Sequence, residues 1–232
     1  MLSPRWLSFL LPSSCALCGQ RCAGVVCEAC RLDAVIPALR CPRCANPLIA
    51  FDAGRDCGAC VAAPPAFDAT IAAADYDSPL DQLLLQLKFA AALPLATWFA
   101  AILRDQVLRE TGAALPDILI PVPLGRRRLV ERGFNQALEV ARPLSRMLGV
   151  PCHAQLAARV VETAPQSAVA PSARAVNVRA AFTAAPAVAG LHIGVVDDVM
   201  TSGRTLDALA RTLKDAGAVR VSNYVVARTP PK

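Results

Sequence analysis

Four Cys-x-x-Cys pairs stand within 46 residues of one another: Cys15 and Cys18, Cys27 and Cys30, Cys41 and Cys44, Cys57 and Cys60. Two thiolates two residues apart can chelate one ion from a tight turn, and two such knuckles complete a closed tetrahedral four-thiolate site with no position left for water. Eight thiolates therefore imply two structural zinc ions. Turn formers punctuate the stretch (Gly19, Gly24, Pro42, Asn46, Pro47, Gly54, Gly58), and its apolar residues are too few for a core of its own. Metal binding must supply much of the folding free energy there. Consecutive pairing, first knuckle with second and third with fourth, is the preferred arrangement. An interleaved one, first with third and second with fourth, remains open on spacing alone. Disulfides and an iron-sulfur cluster are the weaker alternatives. Cys22 and Cys152 are left over as spare thiols.

Disulfides would require an exported chain. Arg5 followed by Trp6 to Leu11 imitates a signal peptide, but the apolar run is short, contains Ser8 and meets Pro12 where a small-residue cleavage site would lie. No stretch reaches the roughly 18 unbroken apolar residues of a membrane span. The expectation is a cytoplasmic protein. A proline-broken linker, VAAPPA at 61–66, separates a zinc-ribbon module over 1–63 from a second domain over 67–232.

That second domain alternates apolar, β-branched runs with helical periodicity, the signature of an α/β layer architecture. Strands are expected at 67–76, 117–124, 154–161, 176–182, 192–196 and 220–227. Pro79 opens a helix whose Leu80, Leu83, Leu84 and Leu87 share a face, 95–108 forms another, and 131–148 a third, opened by ERGFNQ and closed by Gly149. Pro121 and Pro123 end the strand before Gly125, Arg126, Arg127 and Arg128, which read as a loop. Lys88 is the only basic residue between Phe67 and Arg104. It is either aimed at a ligand phosphate or exposed at a helix end.

The most chemically specific stretch is IGVVDDVMTSGRT, 193–205. An apolar strand runs into Asp197 and Asp198, then into Thr201, Ser202, Gly203, Arg204 and Thr205, after which Leu206, Leu209, Ala210 and Leu213 recur at helical spacing. Free amides and hydroxyls at a helix N-terminus form an anion site. Two carboxylates beside it would repel a phosphate unless they grip sugar hydroxyls or share a magnesium ion with it. The ligand so implied is a phosphorylated ribose.

Charge agrees with an anionic ligand. The chain carries +6 overall, and residues 117–180 contain nine Arg and no Lys against four acidic residues, whereas 67–116 is net acidic. A concentrated basic segment favours a polyanion, pyrophosphate or nucleic acid.

The CxxC head, LKF at 87–89, PVPL at 121–124, ERGFNQ at 131–136, APQ at 164–166 and VVDDVMTSGRT at 195–205 together resemble the ComF family of competence-associated phosphoribosyltransferase-like proteins. The resemblance covers essentially the whole chain. FAAALP stands at 89–94, where relatives more often have a basic residue and a glycine after LKF. The resemblance implies a type I phosphoribosyltransferase-like parallel sheet flanked by helices behind a zinc-ribbon head, with phosphoribosyl pyrophosphate (PRPP) and magnesium as ligands. It further implies that Asp197 and Asp198 hold the ribose hydroxyls, Thr201 to Thr205 the 5-phosphate, and Leu124, Gly125 and Arg126 the pyrophosphate, with Gln166 to Arg174 a flexible lid. Relatives act in natural transformation, which implies single-stranded DNA and a competence helicase or another DNA-processing protein as partners. A nucleobase salvage enzyme and a non-enzymatic PRPP sensor are the competing expectations.

Overall fold

The computed structural model describes residues 13–49, 52, 54–110, 114–160 and 181–230. The start of the chain (1–12) and the expected lid from Gln166 to Arg174 lie outside them, as does most of the strand expected at 176–182.

The head holds a two-residue hairpin, β1 (Ser13–Ser14) with β2 (Arg21–Cys22), and two short helices, α1 (Glu28–Ala34) and α2 (Gly58–Ala62). Cys27 and Cys57 sit at the N-caps of these helices. The first cysteine of each second knuckle is thus placed by a helix start, one turn from its partner.

The second domain runs β3 (Ala69–Asp75), α3 (Leu80–Ala90), α4 (Pro94–Arg109), β4 (Ile118–Pro121), α5 (Arg126–Arg132), α6 (Gln136–Leu148), β5 (Ala157–Arg159), β6 (Phe182–Ala184), β7 (His192–Met200), α7 (Arg204–Asp215) and β8 (Arg220–Arg228). Four strands form an all-parallel sheet in the order β3-β8-β7-β4, and β5 and β6 form a separate antiparallel ribbon. Parallel pairing with helices on both faces buries both sides of each strand, which accounts for the near-continuous apolar runs.

Alternation along the strands sorts side chains into two cores. Leu119, Val196, Tyr224 and Val226 join the leucines of α3 and the apolar faces of α4 and α6. Ile118, Ile120, Ile193, Val195 and Val225 join α7. Leu80, Leu83, Leu84 and Leu87 are fully buried, as their spacing predicts. Gly194 is required where β7 passes between its neighbours: a Cβ there would lie 2.6 Å from Leu119 Cδ2 and 2.9 Å from Tyr224 Cε2.

Two expectations are corrected. The helix expected over 131–148 is two helices, because Gly133 takes a left-handed conformation (φ 76°) that closes α5, and Asn135 opens α6 by accepting the Ala137 amide at 3.0 Å. Arg126, Arg127 and Arg128 consequently lie on a helix and not in a loop. The strand expected to end at Val196 runs on to Met200, held by β8 as far as the Met200–Arg228 register pair. The two aspartates are therefore strand residues.

Candidate functional site

The cysteines assemble into two separate clusters, Cys15, Cys18, Cys27 and Cys30 in one, Cys41, Cys44, Cys57 and Cys60 in the other, each with its four sulfurs within 4.8 Å of one another. Consecutive pairing is thus the arrangement adopted. Across the knuckles Cys18 Sγ lies 3.7 Å from Cys27 Sγ, and Cys44 Sγ 3.6 Å from Cys57 Sγ. A tetrahedral zinc with bonds of about 2.3 Å sets an edge of about 3.8 Å, so the donors fit that ion. The Cys27 amide donates to Cys15 Sγ at 3.3 Å and the Cys57 amide to Cys41 Sγ at 3.2 Å, the outer-shell bonds that stabilise thiolates. Burial pushes the Cys15 thiol up, but amide hydrogen bonds outweigh it and bring it to about 6. Cys22 and Cys152 belong to neither cluster.

At the carboxyl edge of the sheet, Asp197 and residues Val199 to Leu206 line one open pocket. Thr201, Ser202, Arg204 and Thr205 are exposed there, above the start of α7. Gly203 forms the N-cap with φ 76°, and a Cβ on it would meet Met200 Cε at 2.7 Å. The turn that aims the α7 amides outward therefore needs glycine on both conformational and steric grounds.

The aspartates separate because successive strand residues face opposite sides. Asp197 follows the Ile193 and Val195 side and is half-buried on the pocket wall. Asp198 follows Val196 and is buried against α3, where Lys88 Nζ lies 2.8 Å from its Oδ2. Both side chains of this pair are at most one-fifth exposed. Lys88 is accordingly neither a free helix-end lysine nor directed at solvent; it supplies the counter-charge for half of the acidic pair. Asp197 Oδ1 accepts the Asp198 amide at 2.9 Å, and Asp198 Oδ1 the Val199 amide at 2.8 Å. Burial first, and the neighbouring Asp198 charge second, hold the Asp197 carboxyl well above the ordinary carboxylate range.

Strand β4 lies parallel beside β7, pairing Pro121 with Val196, and the Val122 amide continues the ladder to the Val196 carbonyl at 2.9 Å. Leu124, Gly125 and Arg126 therefore leave the sheet at the same edge as Asp197, where ligands of open α/β sheets bind. Asn135 fixes that exit, donating from Nδ2 to the Val122 carbonyl at 3.0 Å while capping α6.

Sequence reasoning missed the residue that ties the phosphate-type loop to the head. Arg228, at the end of β8, is buried and donates from Nε to the Cys44 carbonyl at 2.9 Å and from Nη1 to the Met200 carbonyl at 3.0 Å, and also to the Thr201 carbonyl. One guanidinium thus joins the second cysteine cluster to the pocket loop. Its only signal in sequence is a charged residue closing the apolar run from Tyr224 to Ala227. The Thr70 amide also donates to the Pro42 carbonyl at 3.0 Å, and Arg40 pairs with Asp75 at 2.7 Å, seating this ribbon on the edge strand β3.

Comparison with known proteins places both parts. Residues 6–61 match the double zinc ribbon domain and residues 135–232 the phosphoribosyl transferase domain. The chain is 35% identical over 225 residues to the DNA utilization protein YhgH of Salmonella typhimurium, covering 94% of this chain and 98% of that one. It is 30% identical to competence protein F of Haemophilus influenzae, covering 81% and 84%. A solved allosteric regulatory enzyme of purine biosynthesis is similar at 20% identity and a TM-score of 0.36, over 56% of this chain and 25% of that one, too loose to add to these relationships. The chain belongs to the ComF family, in which a structural double zinc ribbon precedes a phosphoribosyltransferase-fold domain and whose members are proteins of competence and DNA utilization.

Proposed function

We propose that the protein binds PRPP with magnesium at the carboxyl edge of its sheet and acts in the cytoplasm on single-stranded DNA taken up during natural transformation. The observation that carries the first half is the pocket itself: exposed Thr201, Ser202, Arg204 and Thr205 and free α7 amides beside the Asp197 carboxylate, with Arg126 leaving the same sheet edge. The loop from Thr201 to Thr205 takes the 5-phosphate. Asp197 serves the ribose hydroxyls or a magnesium ion bound with them, while Asp198, paired with Lys88 on the other face of β7, fixes the strand end that presents it. Leu124, Gly125 and Arg126 receive the pyrophosphate, whose departing charge Arg126 would neutralise electrostatically. The DNA half rests on the relatives, which are named for DNA utilization and competence. A competence helicase or another DNA-processing protein is the partner this setting supplies.

Pyrophosphate release, measured with PRPP and magnesium against a panel of nucleobases and against single-stranded DNA, tests the reading. PRPP binding with DNA-dependent turnover supports it, and PRPP binding with no turnover in any arm would make the protein a non-enzymatic PRPP sensor. Turnover that depends on one nucleobase would make the protein a salvage enzyme instead.

A further inference from the structure

Helix α5 has no buried residue. Seven residues are too few to hold a helix in water without packing, and most helical stability in proteins comes from a buried face. Here Val130 is 78% exposed and Leu129 44%, and Arg126, Arg127 and Arg128 all face solvent. Arg127 is engaged by Glu131 at 2.8 Å, so Arg126, Arg128 and Arg132 set the charge of this surface. Beside it stands Phe89, in the last turn of α3 and 73% exposed, with the Arg132 guanidinium 5.7 Å from its ring centroid. Lys88 and Phe89 are consecutive, yet Lys88 turns inward to Asp198 and Phe89 outward.

An exposed aromatic ring held beside a guanidinium, on a surface with several further arginines, matches one chemistry closely. Unpaired bases stack on aromatic faces and their phosphates meet cations, whereas the bases of a duplex are already stacked on each other. We propose that Phe89 and Arg132, with Arg128 of α5, form a docking surface for a single strand of nucleic acid, one base stacking on Phe89 and the flanking phosphates lying along α5. This rests on the proposed DNA role and gives it a location, next to the pocket but not within it.

Fluorescence anisotropy of a labelled oligothymidylate with the zinc-loaded full chain tests it. Phe89→Ala should weaken binding about tenfold or more without changing its salt dependence, and Phe89→Trp should retain it. Arg128→Gln with Arg132→Gln should lower the slope of log affinity against log salt by about 1.4, the share of two phosphates on a single strand. Phe89 is solvent-facing, so PRPP titration of Phe89→Ala should be unchanged, which separates a lost surface from a lost fold. Wild-type affinity in Phe89→Ala would overturn the surface while leaving the DNA role standing. Equal binding of the matching duplex would overturn it as well, pointing to a plain cationic patch. Failure of the wild-type chain to bind the oligonucleotide even at low salt would overturn both the surface and the DNA role, leaving the PRPP reading intact.

Discussion

Asp197 and Asp198 are adjacent in the chain, yet their neutralisation has opposite consequences. Asp198 is buried against the Lys88 ammonium. Replacing it by Asn leaves that ammonium without a counter-charge, and a pair of this kind costs about 3–5 kcal/mol to break when fully buried. With up to a fifth of each side chain in water, about 2 kcal/mol is expected, a fall of about 4–8 °C in Tm for a chain of this size. Asp197 is different. Its carboxyl is raised in the folded state, so it stabilises the fold most below the ordinary carboxylate pKa, and that contribution is lost as pH rises through the raised value. Asp197→Asn should therefore raise Tm at pH 8, and the gain should vanish as the pH is brought below about 4. Thermal melts of the two single variants across pH check both signs. This distinction was available in principle from the sequence. Had the strand been continued through VVDDVM, its alternation would have placed the two carboxylates on opposite faces. Lys88 was harder to place, since its partner lies 110 positions away and only the sheet order brings α3 over β7.

Elements were legible where periodicity was strong and obscure where a short break interrupts it. The leucine face of α3, the strands β3 and β8 and the start of α7 all lie where their patterns put them. The division of α5 from α6 was concealed because ERGFNQ lies between two helical patterns; Gly133 as a left-handed stop and Asn135 as a cap are the signals that mark it. One end of α3 carries strain. Ala91, its C-cap, adopts φ 50° where glycine is the usual residue, and an L side chain there costs about 1 kcal/mol. Ala91→Gly should accordingly stabilise the protein by up to about 1 kcal/mol, partly offset by the greater freedom of glycine in the unfolded chain. Denaturant unfolding, with an unchanged m-value, is the measurement. A loss of stability would mean that Ala91 is held by contacts its backbone angle does not reveal.

For the whole molecule, the zinc ribbons are built into the cores of the α/β domain. Cys15, Val26, Ala34 and Val35 pack with α3 and α4 on one face of the sheet, and Cys41, Cys44 and Cys60 pack with Phe67 and α7 on the other. The dependence of the head on its metals was legible in its four knuckles; that its two halves would join opposite faces was not, because knuckle spacing specifies ligands and leaves docking undetermined. Elemental analysis should find two zinc ions per chain. Chelation should then shift the melting of the whole chain downward as one transition, since removing a ligand that binds only the folded state withdraws its free energy from every element coupled to it. Two resolved transitions, with the sheet domain unmoved, would show the ribbons to be independent. Loss of the second zinc should also loosen the pocket loop, because Arg228 holds the Met200 and Thr201 carbonyls together with that of Cys44.

If the pocket beside Asp197 is the PRPP site, titration calorimetry of PRPP with magnesium into the wild-type chain and Asp197→Asn tests it most directly. Removing one charged hydrogen bond to the ligand costs about 1.5–3 kcal/mol, so the variant should bind PRPP about 10- to 150-fold more weakly while melting no lower than wild type at neutral pH. Unchanged PRPP affinity in a folded Asp197→Asn protein would contradict the site.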